Sequence, residues 1–139
     1  RKTARLTEEE FEIIKTHPVL GATIMAPIRQ MQEIIPGLRY HHERCNGRGY
    51  PEGLTREETP LMARIIAVAD TFDAITTNRP YQKAYDTEFA VETITKLAGK
   101  RFDIDVVSAF HRAFEAGQIR KREAPLPVAA AEAKAAVAS

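Results

Sequence analysis

This sequence predicts an all-α fold, on three observations. Apolar residues recur three or four positions apart along most of the chain. Helix-starting residues (Thr7, Pro18, Pro36, Pro60) and helix-ending glycines (Gly99, Gly117) bracket those stretches. Strand-like alternation extends over no useful length.

Taken in order, Thr7-Glu8-Glu9-Glu10 reads as a capping box, with Thr7 as N-cap and Glu10 reaching back. Phe11 and Ile14 give the helix that follows an apolar side, and His17 lies three residues beyond Ile14. Pro18 opens a second helix whose apolar stripe is Leu20, Ile24, Ile28 and Met31; Pro27 falls inside the pattern and should kink or break it. Pro36 starts a third helix carrying Leu38, Tyr40, His41 and His42. Residues 45–59 read as a loop because Gly47, Gly49, Pro51 and Gly53 all disfavour regular structure. Pro60 restarts a helix through Thr76, with Met62, Ile65, Ile66, Ala69 and Phe72 expected inward. After Pro80, helices are expected near 88–98, marked by Phe89, Val91, Ile94 and Leu97, and near 103–116, marked by Val106, Val107, Phe110 and Phe114. Glycines follow each, at Gly99 and Gly117, where C-terminal caps belong. From about Ala124 the sequence is Ala-rich with two prolines, which reads as a tail rather than core. The expected division is a domain over 1–120 and a tail over 121–139.

A chain of 139 residues suits one domain, and 44% hydrophobic against 28% charged residues suits a globular protein with a modest core. The net charge of +1 provides no field for bulk nucleic acid, so a phosphate-bearing ligand must be held locally. Cys45 is the only cysteine, which excludes an internal disulfide and fits a reducing cytoplasm. No run approaches the roughly 20 apolar residues of a membrane span, and no signal peptide opens the chain. The first residue is Arg1 rather than Met, as expected of a piece cut from a longer protein.

Four positions can carry metal chemistry: His17, His41, His42 and Asp70. Imidazole and carboxylate suit Fe, Mn or Zn. For His17 alone, a hydrogen-bonded histidine at a helix end is the competing reading. Adjacent histidines on a helix point about 100° apart, an arrangement better suited to two neighbouring ions than to one. Asp70 lies beside the inward stripe of an apolar helix, where a carboxylate needs a metal or a partner such as Arg79. In Gly49-Tyr50-Pro51 the glycine lets backbone approach a ligand and Tyr50 offers a face for a base, while a plain turn is the alternative. Arg79 carries a donor fork that matches phosphate, or is simply solvated. His111 reads as structural or exposed.

Together these residues resemble the HD-GYP family. His41-His42-Glu43-Arg44-Cys45-Asn46-Gly47-Arg48-Gly49-Tyr50-Pro51 is similar to its signature loop. Ala63 through Ala74, read as ARIIAVADTFDA, is similar to its central helix; Asn78-Arg79-Pro80-Tyr81 and Phe102-Asp103 follow its later pattern. The match runs from about Leu6 to Phe114. The resemblance implies a helical HD-type bundle, truncated here at its N-terminal side, and metal-dependent hydrolysis of cyclic di-GMP in the intact protein. It places His17, His41, His42 and Asp70 at metal-ligand positions, for two or three divalent transition metals, Fe or Mn. It places Gly49, Tyr50, Pro51, Arg79 and Lys83 around the dinucleotide.

Two departures bear on this. The family's His-Asp doublet is missing from these 139 residues, so the chain alone is expected to be inactive. Gln82 stands where the family often has Lys or Arg, and the adjacent Lys83 is the substitute. The resemblance also implies an upstream sensory or receiver domain. Its rival functional reading is a non-catalytic signalling module that docks a diguanylate cyclase domain through the Gly-Tyr-Pro loop. An intact doublet upstream favours the enzyme.

Overall fold

The structure is a computed structural model and describes residues 7–77 and 84–119. Among these residues six helices run in order: α1 (Glu8–Lys15), α2 (His17–Met25), α3 (Ile35–Tyr40), α4 (Leu61–Thr76), α5 (Thr87–Lys96) and α6 (Ile104–Glu115), with a 3₁₀ turn at Arg29–Met31 between α2 and α3. Among the described residues there are two isolated bridges and no strand, so the all-α expectation holds. No helix among them is long and apolar enough to cross a membrane. The tail assigned to 121–139 lies outside the described residues.

Local chemistry sets the helix ends. The Glu10 N–H donates to Thr7 Oγ1 at 3.2 Å and the Thr7 N–H donates to Glu10 Oε2 at 2.8 Å, the reciprocal capping box. Asp86 caps α5 by accepting from the Phe89 N–H, and Asp103 caps α6 by accepting from the Asp105 and Val106 N–H groups. Gly99 and Gly117 follow α5 and α6 at φ 75° and 69°, the left-handed conformation that a side chain resists. Pro27 does break the second helix. The break leaves Ile28 and Met31 outside α2, in the turn before Pro36 starts α3.

The core joins α4, α5 and α6: Val68 and Phe72 meet Ala90, Val91 and Ile94, with Phe102, Val106 and Val107 closing it. Phe72 and Phe110 pack edge-to-face at 5.5 Å. Phe89, expected with this group, is exposed and stacks on Tyr85 instead.

Two of the expected inward stripes are corrected. On α2 the buried residues are Pro18 and Ala22, while Leu20 is 55% and Ile24 71% exposed. Small Ala22 lets α3 approach α2 closely, and the large side chains are left on the outer face. On α4 the buried residues are Ala63, Val68, Phe72 and Thr76; Met62, Ile65 and Ala69 lie on the exposed side. This helix is apolar almost all round at its start, so spacing alone left open which face α5 and α6 would cover. Leu61, Ile65, Phe110 and Ile119 line an open apolar groove between α4 and α6.

Candidate metal centre and its loop

The start of α2 and the end of α3 bring the histidines together. His17 opens α2, where the Thr16 turn separates it from α1. His41 is the C-cap of α3, and His42 follows in the turn. The pair therefore sits just past the helix rather than on it, and the expected 100° divergence is corrected. The His41 and His42 rings lie 4.1 Å apart at 42°, and both face His17 at 5.8 and 4.8 Å. One ligand atom from each of the three lies within 4.8 Å of the others.

Hydrogen bonds orient these rings. His17 Nδ1 lies 2.5 Å from the Ile14 carbonyl oxygen and His41 Nδ1 lies 2.7 Å from that of Leu38. A carbonyl oxygen only accepts, so each Nδ1 carries the hydrogen and, in the neutral ring, each Nε2 keeps its lone pair. An imidazole that donates through one nitrogen to a carbonyl and presents the other is arranged as a metal ligand. His42 Nε2 is 3.1 Å from His17 Nε2. Burial holds the His42 pKa down to about 4, helped by the neighbouring His41 and His17 and by Arg101 and Arg44, so this ring is neutral at pH 7. The set fits a divalent cation of borderline softness.

Asp70 is exposed on α4 and lies outside this close trio. Its charge nevertheless acts on Tyr50 and Arg101, so it faces the same region. Arg79 and Lys83 lie outside the described residues. His111 is partly exposed on α6, its Nδ1 3.5 Å from the Glu115 carboxylate.

The loop is seated on the histidine turn. A Cβ on Gly49 would come within 2.5 Å of Glu43 Cα and 2.6 Å of the His42 carbonyl oxygen, so only glycine fits there. The Tyr50 N–H donates to the His42 carbonyl at 3.3 Å. The Tyr50 ring stacks on His42 at 4.8 Å and 23°, with Phe11 edge-on at 6.2 Å. One face of Tyr50 is thus occupied by a histidine of the trio. Burial raises the Tyr50 pKa, which keeps the phenol protonated.

Sequence reasoning missed the residue that clamps this loop. Glu43 is 5% exposed, and its carboxylate accepts from the N–H groups of Glu52 (2.7 Å), Gly53 (3.1 Å) and Leu54 (2.9 Å). Arg39 adds a second tie, donating to Glu52 Oε1 at 2.9 Å. The available signal was an acid beside the histidine pair and ahead of a glycine-rich loop rich in orphan N–H groups. Asp103 was likewise read only as part of a pattern. Its side chain is fully buried and accepts from Arg56 at 2.9 Å and from Arg64, which joins the loop to the starts of α4 and α6. Burial would raise its pKa, but the bonds from Arg64, the Asp105 N–H and Arg56 hold it below the usual carboxylate value.

Residues 1–124 match the family described as HD domain. A cyclic di-GMP phosphodiesterase of Thermotoga maritima is 43% identical over 113 residues, covering 78% of this chain and 30% of that protein. The cyclic di-GMP phosphodiesterase PA4108 of Pseudomonas aeruginosa is 39% identical over 113 residues, covering 81% and 27%. The chain therefore spans less than a third of the curated relatives it matches. Among solved structures, a cyclic GMP-AMP-specific phosphodiesterase of V. cholerae superimposes with a TM-score of 0.65 at 28% identity, over 75% of this chain and 24% of that one. Bd1817 of Bdellovibrio bacteriovorus, described as an HDG"Y"P protein, gives 0.62 at 18% identity over 83% and 36%, a likeness of fold. The resemblance to HD-GYP proteins is borne out by these relatives.

Proposed function

Because this chain belongs to the HD domain family, we propose that it forms the histidine-rich part of a metal-dependent phosphodiesterase site for cyclic di-GMP. The observation that carries the reading is the trio: three imidazoles from separate positions, two of them tied to carbonyls through Nδ1, converge within 4.8 Å. The relatives' named activity supports the substrate.

In this proposal His17, His41 and His42, with Asp70 from α4, hold divalent transition metal, Fe or Mn. When bound, such a metal supplies a Lewis acid and a water acidic enough to serve as nucleophile near neutral pH. The chain's own residues do the rest. His42 stays neutral and offers its lone pair. Tyr50 covers one face of His42, excludes water there and fixes the ring's angle. Gly49, Tyr50 and Pro51 form the wall against which a guanine lies. Arg79 and Lys83 hold a phosphate by charge.

Metal analysis of the purified, reconstituted chain tests this. Wild type should retain divalent metal and His42→Ala should lose affinity by more than about tenfold, since even outer partners of metal ligands cost 10–100-fold. The chain alone should not turn over cyclic di-GMP, because the doublet implied by the resemblance is not among its residues. A wild-type chain that takes up no divalent metal, or a His42→Ala variant that binds as tightly, refutes the assignment.

A further inference from the structure

Two arginines beside the trio have no role in the site as proposed so far. The Cys45 N–H donates to the Arg101 carbonyl at 3.2 Å and the Asn46 N–H to the Lys100 carbonyl at 3.1 Å, so the turn after His42 is paired with the turn after α5. That pairing sets Arg44 and Arg101 side by side along one crevice. Arg101 is half-buried, and its guanidinium lies over the Phe102 ring at 5.2 Å. Among the described residues neither guanidinium makes a salt bridge or a side-chain hydrogen bond. Of the nearby acids, Glu43 binds loop N–H groups and Asp103 binds Arg56 and Arg64, while Asp70, whose charge also acts on Arg101, is assigned to the metal in the reading above. Both arginines act on His42 and on Tyr50 through their charge, which places them at the stacked His42–Tyr50 pair.

Two adjacent like charges, one of them partly desolvated, are unfavourable unless an anion joins them. Burial and the Arg44 charge lower the Arg101 pKa, yet a guanidinium stays charged at neutral pH. Arg101 is also held in place by Phe102, so little side-chain freedom is lost on binding. A pair of forked donors suits phosphate, which accepts two parallel bonds.

We propose that Arg44 and Arg101 form a phosphate seat next to the histidine trio, which takes the phosphodiester of a cyclic dinucleotide that is not being cleaved. The substrate assignment rests on the reading under Proposed function, while the anion seat stands on the arginines themselves. A cyclic dinucleotide carries two phosphodiesters. With one directed to the histidines and held there by Arg79 and Lys83, the other requires its own cations, and Arg44 and Arg101 are available next to the trio.

The test uses the chain stripped of metal by chelation, titrated calorimetrically with cyclic di-GMP and separately with inorganic phosphate. Arg44→Ala and Arg101→Ala should each weaken both ligands by about tenfold, the loss expected for a charge-assisted contact of roughly 1.4 kcal/mol or more. Binding should also become less salt-dependent in both variants. Arg101→Gln keeps an aliphatic stem with a polar, uncharged end and guards against a folding defect; it should lose phosphate while retaining wild-type circular dichroism and metal content. If wild type binds phosphate through these arginines but not cyclic di-GMP, the seat stands and the substrate reading falls. If cyclic di-GMP binds all variants as it binds wild type, the seat is overturned and the substrate reading survives. Phosphate binding abolished by His42→Ala but untouched by Arg101→Gln also overturns the seat.

Discussion

Replacing Glu43 removes the acceptor for three loop N–H groups at once. The carboxylate binds Glu52, Gly53 and Leu54 at 2.7–3.1 Å from a site that is 5% exposed. A hydrogen bond to a charged group contributes about 1.5–3 kcal/mol. Three of them are not additive, and water can reach the Glu52 N–H because that residue is exposed. A loss of about 2–4 kcal/mol for Glu43→Ala is the consistent estimate, a large share of the roughly 5–15 kcal/mol that holds a domain together. Glu43→Gln keeps one oxygen but turns an NH₂ group toward N–H donors, so it should recover only part of this loss. The effect should reach the histidines, because the same loop carries Tyr50 onto the His42 ring. Urea unfolding of the metal-free chain measures the stability term. NMR of the histidine Hε1 protons measures the other, since the stacked Tyr50 ring shifts the His42 resonance. Metal affinity should fall about tenfold, as for other groups that orient ligands. Loss of less than about 1 kcal/mol together with an unmoved His42 resonance would show that the clamp does not carry the loop.

The remaining predictions concern protonation and ion pairs. His42 titrates near 4 in the folded chain against an ordinary 6.5, so the unfolded chain takes up its proton first as pH falls; the stability contributed by the neutral ring is complete above pH 6.5 and is lost progressively down to about pH 4. The ring is partly exposed, and solvent screening reduces this to about 1 kcal/mol; denaturant midpoints at pH 7 and 5 should differ more for wild type than for His42→Gln, and equal differences would contradict the shift. Asp103→Asn keeps an acceptor for the α6 cap but leaves Arg56 and Arg64 without their buried counter-charge. It should cost about 2–3 kcal/mol in guanidinium unfolding, toward the low end for broken buried pairs because Arg56 is partly exposed.

What the sequence determined by itself is local. The Thr7–Glu10 box, the break at Pro27 and the glycine ends at Gly99 and Gly117 each depend on backbone groups within a few residues, and all are legible without a fold. The histidine set was legible as well, through the ordered motif around His41 and His42, although its geometry was not: the pair lies past the end of α3, where a turn rather than a helix sets the ring directions. The tertiary structure alone decided which apolar faces are covered. Helical spacing places Leu20 with Ile24, or Met62 with Ile65, on a common face, but burial depends on what packs there, and α2 and α4 turn other faces toward their neighbours. It alone revealed Glu43 as a clamp and set Arg44 beside Arg101, 57 positions apart in numbering. A hydrogen bond or a charge contact acts over a few ångströms of space and carries no mark in sequence separation; only packing supplies the partner.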